Sequence, residues 1–564
     1  MAPRSGFLGG EAKRDRHADV PSCAYGTCRI RVTPVHRSTG RADRATGAPG
    51  VGGAGARPPP PGPPDAPVIM LVTAEGVHVT DRVGARALLD RVLDGWTSWD
   101  APPPAAGDGA PGGYAAELDA ARDRSGCDEA VLTGEGGLRG RRVAFVVSEF
   151  RFLAGSIGRA TADRIVAGVE RATAERLPLL AAPSSGGTRM QEGTAAFVQM
   201  ARITAAVMAH RAAGLPYLVY LRHPTTGGVF ASWGSLGHVT AAEPGALIGF
   251  LGPRVHEGLY GEPFPPGVQV AENLAAKGLV DAVVGIDDLA GVASAALDVL
   301  CGGPSEAPPE EPPARPDETP AWESIQRSRR DDRPGVRELL RHGATGVTLL
   351  SGTGQGEADP GLLLALARFG GASCVLAGQD RRSQRTGHPL GPAGLRVARR
   401  GMALAAELRL PLVTVVDTPG AVLSAEAEEG GLAGEIARCL ADLITLPAPT
   451  ACLLLGEGTG GAALALLPAD RVLVARHAWL SPLPPEGASV IVHRTPDRAP
   501  EMAAAQGVRS ADLLSAGFAD VLVDERPDAA DEPEAFCRRA ATAIERALHA
   551  LPPGTPGTRS ARFT

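Results

Sequence analysis

A chain of 564 residues with 44% hydrophobic content exceeds one ordinary core, so roughly two to four domains are expected. A formal charge of −7 argues against a general nucleic-acid-binding surface. Neither a signal-peptide core nor an apolar run long enough to span a bilayer occurs, so a cytoplasmic protein without membrane contact is expected.

In chain order, residues 1–66 are rich in Gly, Pro and Arg and end in RPPPPGPPDAP. Such a segment cannot bury enough apolar surface to offset ordering entropy and reads as a disordered tail. It holds Cys23 and Cys28, the only close cysteine pair. A structural zinc needs four ligands and the next cysteine, Cys127, stands alone, so no metal site is expected. Residues 67–300 then form a first domain, 301–320 (CGGPSEAPPEEPPARPDETP) a Pro/Glu-rich linker, 321–550 a second domain and 551–564 a disordered tail.

The two domains look like copies of one plan. Pro178 and Pro411, Gly228 and Gly461, and Gly158 and Gly391 are each 233 positions apart (411 minus 178 for the first pair). Each copy runs as an apolar strand (VAFVVSEF; SCVLAG), an amphipathic helix (RATADRIVAGVERATAERL; GLRVARRGMALAAELRL) and a second strand (PLLAAPS; PLVTVVD). A Gly-rich loop and helix, a third strand (PYLVYLRH; TACLLLGEG), a Gly-Gly turn and a fourth strand (ALIGFLG; RVLVARH) follow. Strands alternating with helices need crossover connections, which predicts two α/β domains, each a mainly parallel sheet covered by helices.

Once per domain a strand ends in Gly-Gly and enters a helix of small residues: Thr226-Gly227-Gly228-Val229 and Thr459-Gly460-Gly461-Ala462. Glycine admits a ligand close to the backbone, and unpaired N–H groups at such a turn can hold an oxyanion. Paired glycines can equally relieve helix–strand crowding, but their repetition at one register favours function. Gly456, Gly458 and Gly461 also spell GxGxxG; the first copy lacks that pattern, and the next strand ends in Arg476-His477 rather than an acid, so dinucleotide binding is disfavoured.

Ser185-Gly186-Gly187-Thr188-Arg189-Met190-Gln191-Glu192-Gly193 closely resembles the SGGARMQEG signature of bacterial acetyl-CoA carboxylase carboxyltransferase beta subunits, with Thr188 in place of Ala. That resemblance covers about residues 80–290. GQDRRSQRTGHPLGPAGLRVARRGMALA, VVDTPGAVLSAEAEEGGLAGEIA and GEGTGGAALAL resemble the partner alpha subunit over roughly residues 322–525. The chain is thus similar to a beta–alpha fusion, which implies two tandem domains of the ClpP/crotonase fold.

The resemblance implies transfer of a carboxyl group from carboxybiotin to acetyl-CoA, giving malonyl-CoA for fatty-acid or polyketide synthesis. Backbone N–H groups of Gly227 and Gly228 would stabilise the thioester enolate, and those of Gly461 and Ala462 the biotin carbonyl. Gly186, Gly187, Thr226, Gly420 and Gly460 are candidate substrate- or cofactor-binding positions, with Arg189, Arg381 and Arg385 (beside Arg382) candidate contacts for CoA phosphate. The alternative for each arginine is an ordinary ion pair. His223 and His388 read as turn-organising residues rather than bases, and Asp417 and Glu435 as loop organisers.

Only Lys13 and Lys277 occur, and neither has the Met-flanked setting of a biotinylated lysine, so no covalent biotin is expected on this chain. Biotin would arrive on a separate biotin carboxyl carrier protein charged by a biotin carboxylase. A homodimer equivalent to two alpha and two beta subunits is expected. Alternatives are a biotin-dependent decarboxylase subunit, a propionyl-CoA carboxylase, a malonate decarboxylase, or a non-enzymatic CoA-binding scaffold.

Overall fold

The computed structural model describes residues 83–101, 113–303, 306–310, 312, 314–551 and 559. Residues 1–66, most of 551–564, and with them Lys13, Cys23 and Cys28, lie outside the described residues. In the first half, strands Trp96–Ser98, Val131–Leu138, Arg141–Ser148, Leu179–Ala182, Tyr217–Leu221, Val239–Ala242 and Ala282–Val283 form one sheet in that order. Its first three strands are antiparallel and the rest parallel. The parallel pairs need crossovers, supplied by helices Arg159–Ala174 and Gln199–Ala212.

The second half repeats this plan with strands Ala344–Leu350, Leu362–Phe369, Ala372–Gln379, Leu412–Thr418, Thr450–Thr459, Arg471–Ala475 and Val521–Val523. Again two antiparallel pairings precede the parallel ones. The crossover helices are Pro392–Leu408 and Leu432–Thr445. The first starts on Pro392, whose fixed φ suits an opening helical position. It turns Leu395, Ala398, Met402 and Ala405 inward at helical spacing.

The repeat extends to the close approach of helix and sheet. A Cβ on Gly168 would lie 2.9 Å from Thr133 Cβ, and one on Gly401, at the matching position, 2.6 Å from Leu364 Cδ1. Both glycines therefore let the crossover helix sit directly on its sheet.

One strand expectation is corrected. ALIGFLG contributes only Ile248–Gly249, which pairs with Thr225–Thr226 off the main sheet. The fourth sheet strand of that copy is Val239–Ala242, whose VTAA sequence carries a weak strand signal because two alanines add little side chain to pack. Residues 306–310 and 314–320 carry neither helix nor strand.

A continuous apolar core runs from helix Ala85–Val92 through both sheets to helix Pro533–Ala550. Helix Ile286–Leu300, burying Leu289, Ala293, Ala296, Leu297 and Leu300, belongs to it. A second core lies under helices Arg159–Ala174 and Gln199–Ala212. Asp281 of the first half, buried at 1% side-chain exposure, accepts from Arg400 (2.9 and 3.0 Å) and the Ser351 N–H (3.0 Å) of the second. The two halves are thus joined by shared packing and by a satisfied buried charge pair. Among the described residues no helix is long and apolar enough to cross a membrane.

Candidate active site

Each half brings a Gly loop against a Gly-Gly turn, and the backbone does the same thing twice. In the first, Ser185 Oγ accepts from the Gly187 N–H (3.0 Å); in the second, Thr418 Oγ1 accepts from the Gly420 N–H (3.1 Å). Gly187 and Gly420 take φ of 107° and 131°, and Gly227 and Gly460 take 63° and 66°. Residues with a Cβ rarely adopt such angles, which explains glycine at all four positions.

The loop and turn meet through the backbone. The Ser185 N–H donates to the Pro224 carbonyl (2.7 Å), and the Thr226 N–H to the Ser185 carbonyl (2.9 Å). A Cβ on Gly187 would stand 3.6 Å from both Gly227 Cα and Gly228 N, so the space between them is backbone-walled. Thr418 pairs with Gly458 in the corresponding way. Gly186 lies at the outer side of its loop, where its N–H donates to the Ala154 carbonyl (2.9 Å).

The Gly227 N–H donates to the Phe250 carbonyl at 2.9 Å, so the expected use of that group for an oxyanion would require breaking a formed hydrogen bond. Gly228 and Val229 are the second and third residues of the short helix Gly227–Phe230, and Gly461 and Ala462 those of Gly460–Leu464, so their N–H groups have no partner within the helix. Thr188, whose Oγ1 would be 3.5 Å from a Cβ on Gly228, faces the same turn.

The arginines divide. Arg189 is buried at 1% exposure, where it pairs with Glu129 and donates to the Ser156 carbonyl (2.9 Å) and Thr161 Oγ1 (3.0 Å). Arg381 is buried against Asp417 (3.2 Å) and the Ser328 carbonyl (2.8 Å). Arg385 is spent on Asp331 (2.7 Å) and the Arg329 carbonyl (2.8 Å). All three hold protein groups, so a phosphate role would require each to abandon a formed pair; exposed Arg382 has no ion-pair partner among the described residues.

His223 accepts the Leu247 N–H through Nδ1 (3.0 Å), a turn-organising bond. Asp417 accepts from the Glu457 N–H (3.1 Å), tying the loop's strand to the strand that leads into the second turn. Glu435 accepts from Arg396, Arg399 and Arg438 and so ties helix Leu432–Thr445 to helix Pro392–Leu408. The GxGxxG glycines have packing reasons: a Cβ on Gly456 would meet Asp417 Oδ1 at 2.5 Å, and one on Gly458 the Trp479 carbonyl at 2.8 Å.

Sequence reasoning missed two positions. The Ser185/Thr418 pair was available, since both hydroxyls stand 233 apart (418 minus 185). Gln379 had no such signal: it ends a strand, is fully buried, and its first-half counterpart by sheet register is Ser148.

Two α/β domains of one plan, each with a Gly loop and a Gly-Gly turn in the same conformations, define the class of fold. Comparison with known proteins agrees, because the carboxyl transferase domain family matches residues 112–552, and the chain belongs to that family. It is 63% identical over 465 residues to the probable biotin-dependent acyl-coenzyme A carboxylase beta3 subunit of Mycobacterium tuberculosis (strain ATCC 25618 / H37Rv), covering 82% of this chain and 93% of that protein. It is 38% identical over 450 residues to the acetyl-coenzyme A carboxylase carboxyl transferase subunits beta/alpha of Salinispora arenicola (strain CNS-205), covering 76% and 80%. The crystal structure of transcarboxylase 12S superposes with a TM-score of 0.66 at 20% identity, over 84% of this chain and 92% of that one, a likeness of fold.

Proposed function

We propose that this chain is the carboxyltransferase component of a biotin-dependent acyl-CoA carboxylase, with acetyl-CoA as acceptor and malonyl-CoA as product. The observation that carries this is the paired N–H cleft, present twice with the same glycine conformations. Carboxyl transfer to an acyl-CoA develops two separate oxyanions, one on the thioester and one on the biotin ureido group, and two clefts meet that need. The named relatives, a biotin-dependent acyl-CoA carboxylase subunit and an acetyl-CoA carboxylase beta/alpha protein, support the substrate class.

The fit to biotin rests on the second turn, where Gly460 and Gly461 open a short helix whose Gly461 and Ala462 N–H groups have no intrahelical partner. Carboxybiotin on a separate carrier supplies the carboxyl group when it docks there. Gly461 and Ala462 would hold the ureido oxygen. Gly228, with Val229, would hold the thioester oxygen as enolate charge develops on it, each donor contributing about 3 kcal/mol. Ser185 and Thr418 keep the facing loops shaped, and the chain's part is to bind and orient the two reactants.

What supports a homodimer is the surface. Met190 (75% exposed) and Leu423 (89%), Phe250 (70%) and Leu483, and Leu259 and Val492 are exposed apolar pairs, each 233 apart (423 minus 190). Such matched patches beside both clefts suit a second copy turned end for end, first half against second half.

The test is carboxylation of free biotin by the purified chain with malonyl-CoA, beside Gly228→Val. Turnover by the wild type and its loss in a folded variant support the assignment. Absence of turnover with malonyl-, methylmalonyl- and longer carboxyacyl-CoA overturns it.

A further inference from the structure

Two irregularities build the second cleft, and each leaves a buried backbone group without its usual partner. The strand Leu412–Thr418 slips register against Thr450–Thr459 between Val416 and Thr418, taking the Asp417 N–H off the ladder. In the short helix Gly460–Leu464, the Leu466 N–H turns to the Ala463 carbonyl (3.2 Å), leaving the Ala462 carbonyl without its helical donor. Gln379 satisfies both: its Oε1 accepts from the Asp417 N–H at 3.0 Å and its Nε2 donates to the Ala462 carbonyl at 2.8 Å.

The amide's orientation is determined, because Asp417 N–H can only donate and the Ala462 carbonyl can only accept. With 0% exposure, Gln379 has no water to exchange these bonds with, and losing either leaves a buried group unpaired. The first half does without such a strap: by sheet register, Val131 pairing with Ser148 as Leu362 pairs with Gln379, the matching residue is Ser148, whose buried hydroxyl finds no partner among the described residues, and Leu221 and Thr225 stand in separate short strands where the second half has one continuous strand to Thr459.

We propose that Gln379 is a positioning residue for the second cleft, setting the separation between the Thr418–Gly420 loop and the Gly461–Ala462 donors that would receive the biotin ureido oxygen. This rests on the carboxyltransferase assignment for the identity of the ligand. The geometry itself stands on the two hydrogen bonds.

The test compares wild type with Gln379→Met, of similar length without polar atoms, and with Gln379→Asn, which retains an amide too short to reach both partners. Amide hydrogen exchange is followed at residues 459–464 and 226–230, carboxyacyl-CoA affinity by calorimetry with malonyl-CoA, and turnover by carboxylation of free biotin. Exchange at 459–464 is expected to speed up while 226–230 and malonyl-CoA affinity stay within about twofold. The kcat for biotin carboxylation should fall about 10- to 100-fold, with a raised biotin KM, as for a catalytic geometry misplaced by a fraction of an ångström to an ångström. Unchanged exchange at 459–464 overturns the proposal. So does a loss that falls equally on both halves and on malonyl-CoA affinity, which marks a general structural role. A wild type that binds but never turns over any carboxyacyl-CoA defeats the functional assignment instead, and the exchange comparison still decides whether Gln379 sets the cleft.

Discussion

Glu407, near the end of helix Pro392–Leu408, accepts from Arg211 Nη2 at 2.6 Å and so fastens the second half to helix Gln199–Ala212 of the first. His238 Nε2, fully buried, lies 3.1 Å from the same carboxylate oxygen. The His238 hydrogen bond, helped by Arg211 and opposed by burial, holds the Glu407 carboxyl down at about 2. A carboxyl depressed in the folded state stabilises above its unfolded pKa, and that contribution fades as pH falls from about 4.5 towards 2. Because the carboxylate is 36% exposed, solvent screening reduces its worth to about 1–2 kcal/mol. Glu407→Gln should lose that amount in urea unfolding at pH 7 and show a flatter acid limb.

His210 responds to acid at higher pH. Burial pushes its imidazole down to about 4 against the small opposing effect of the Pro216 carbonyl. The unfolded chain therefore binds a proton between about 6.5 and 4 that the folded one refuses, and stability drops across that window as pH falls. Going from pH 7 to 5 should cost about 2 kcal/mol at this residue. In His210→Gln the dependence over that range should be shallower in chemical denaturation; an unchanged slope would place the titration elsewhere.

Arg189 separates a structural from a phosphate-binding role. Arg189→Met leaves Glu129 buried and unpaired, a loss of about 3–5 kcal/mol. Calorimetric melting should fall steeply. A melting temperature equal to wild type together with a raised acyl-CoA KM would instead show that Arg189 leaves Glu129 for the substrate.

At the second turn, a Cβ on Gly461 would lie 2.9 Å from Ile436 Cδ1. Gly461→Val must displace that side chain or the turn, and about a 100-fold loss of biotin carboxylation is expected. Gly228→Ala, whose Cβ meets Met200 Cγ at a looser 3.4 Å, should retain more activity than Gly461→Ala.

The matched apolar pairs give a test of association. Leu259→Glu with Val492→Glu changes exposed positions only, so the fold should persist. Sedimentation should shift from dimer or larger to monomer, with turnover lost in step.

Much of this was legible in the chain because the duplication keeps one spacing from the crossover helices through the Gly-Gly turns; only the preceding hairpin shifts by two, Ser148 matching Gln379 (379 minus 148). The spacing between Gly228 and Gly461 is maintained by paired backbones in both sheets, and Pro178 and Pro411 each stand one residue before a parallel strand. Glycine at the loops and turns was readable for the same reason: backbone conformation selects the residue type locally. The sequence by itself determined the two α/β domains, the repeat and the four glycine positions. Only the tertiary structure decided what long-range partners do: that Gly227's N–H is taken by Phe250, that Arg189 and Arg381 are spent on Glu129 and Asp417, and that Gln379 bridges Asp417 and Ala462. A side chain's hydrogen-bonding capacity is visible in a sequence, but its partner is set by packing between segments far apart in the chain.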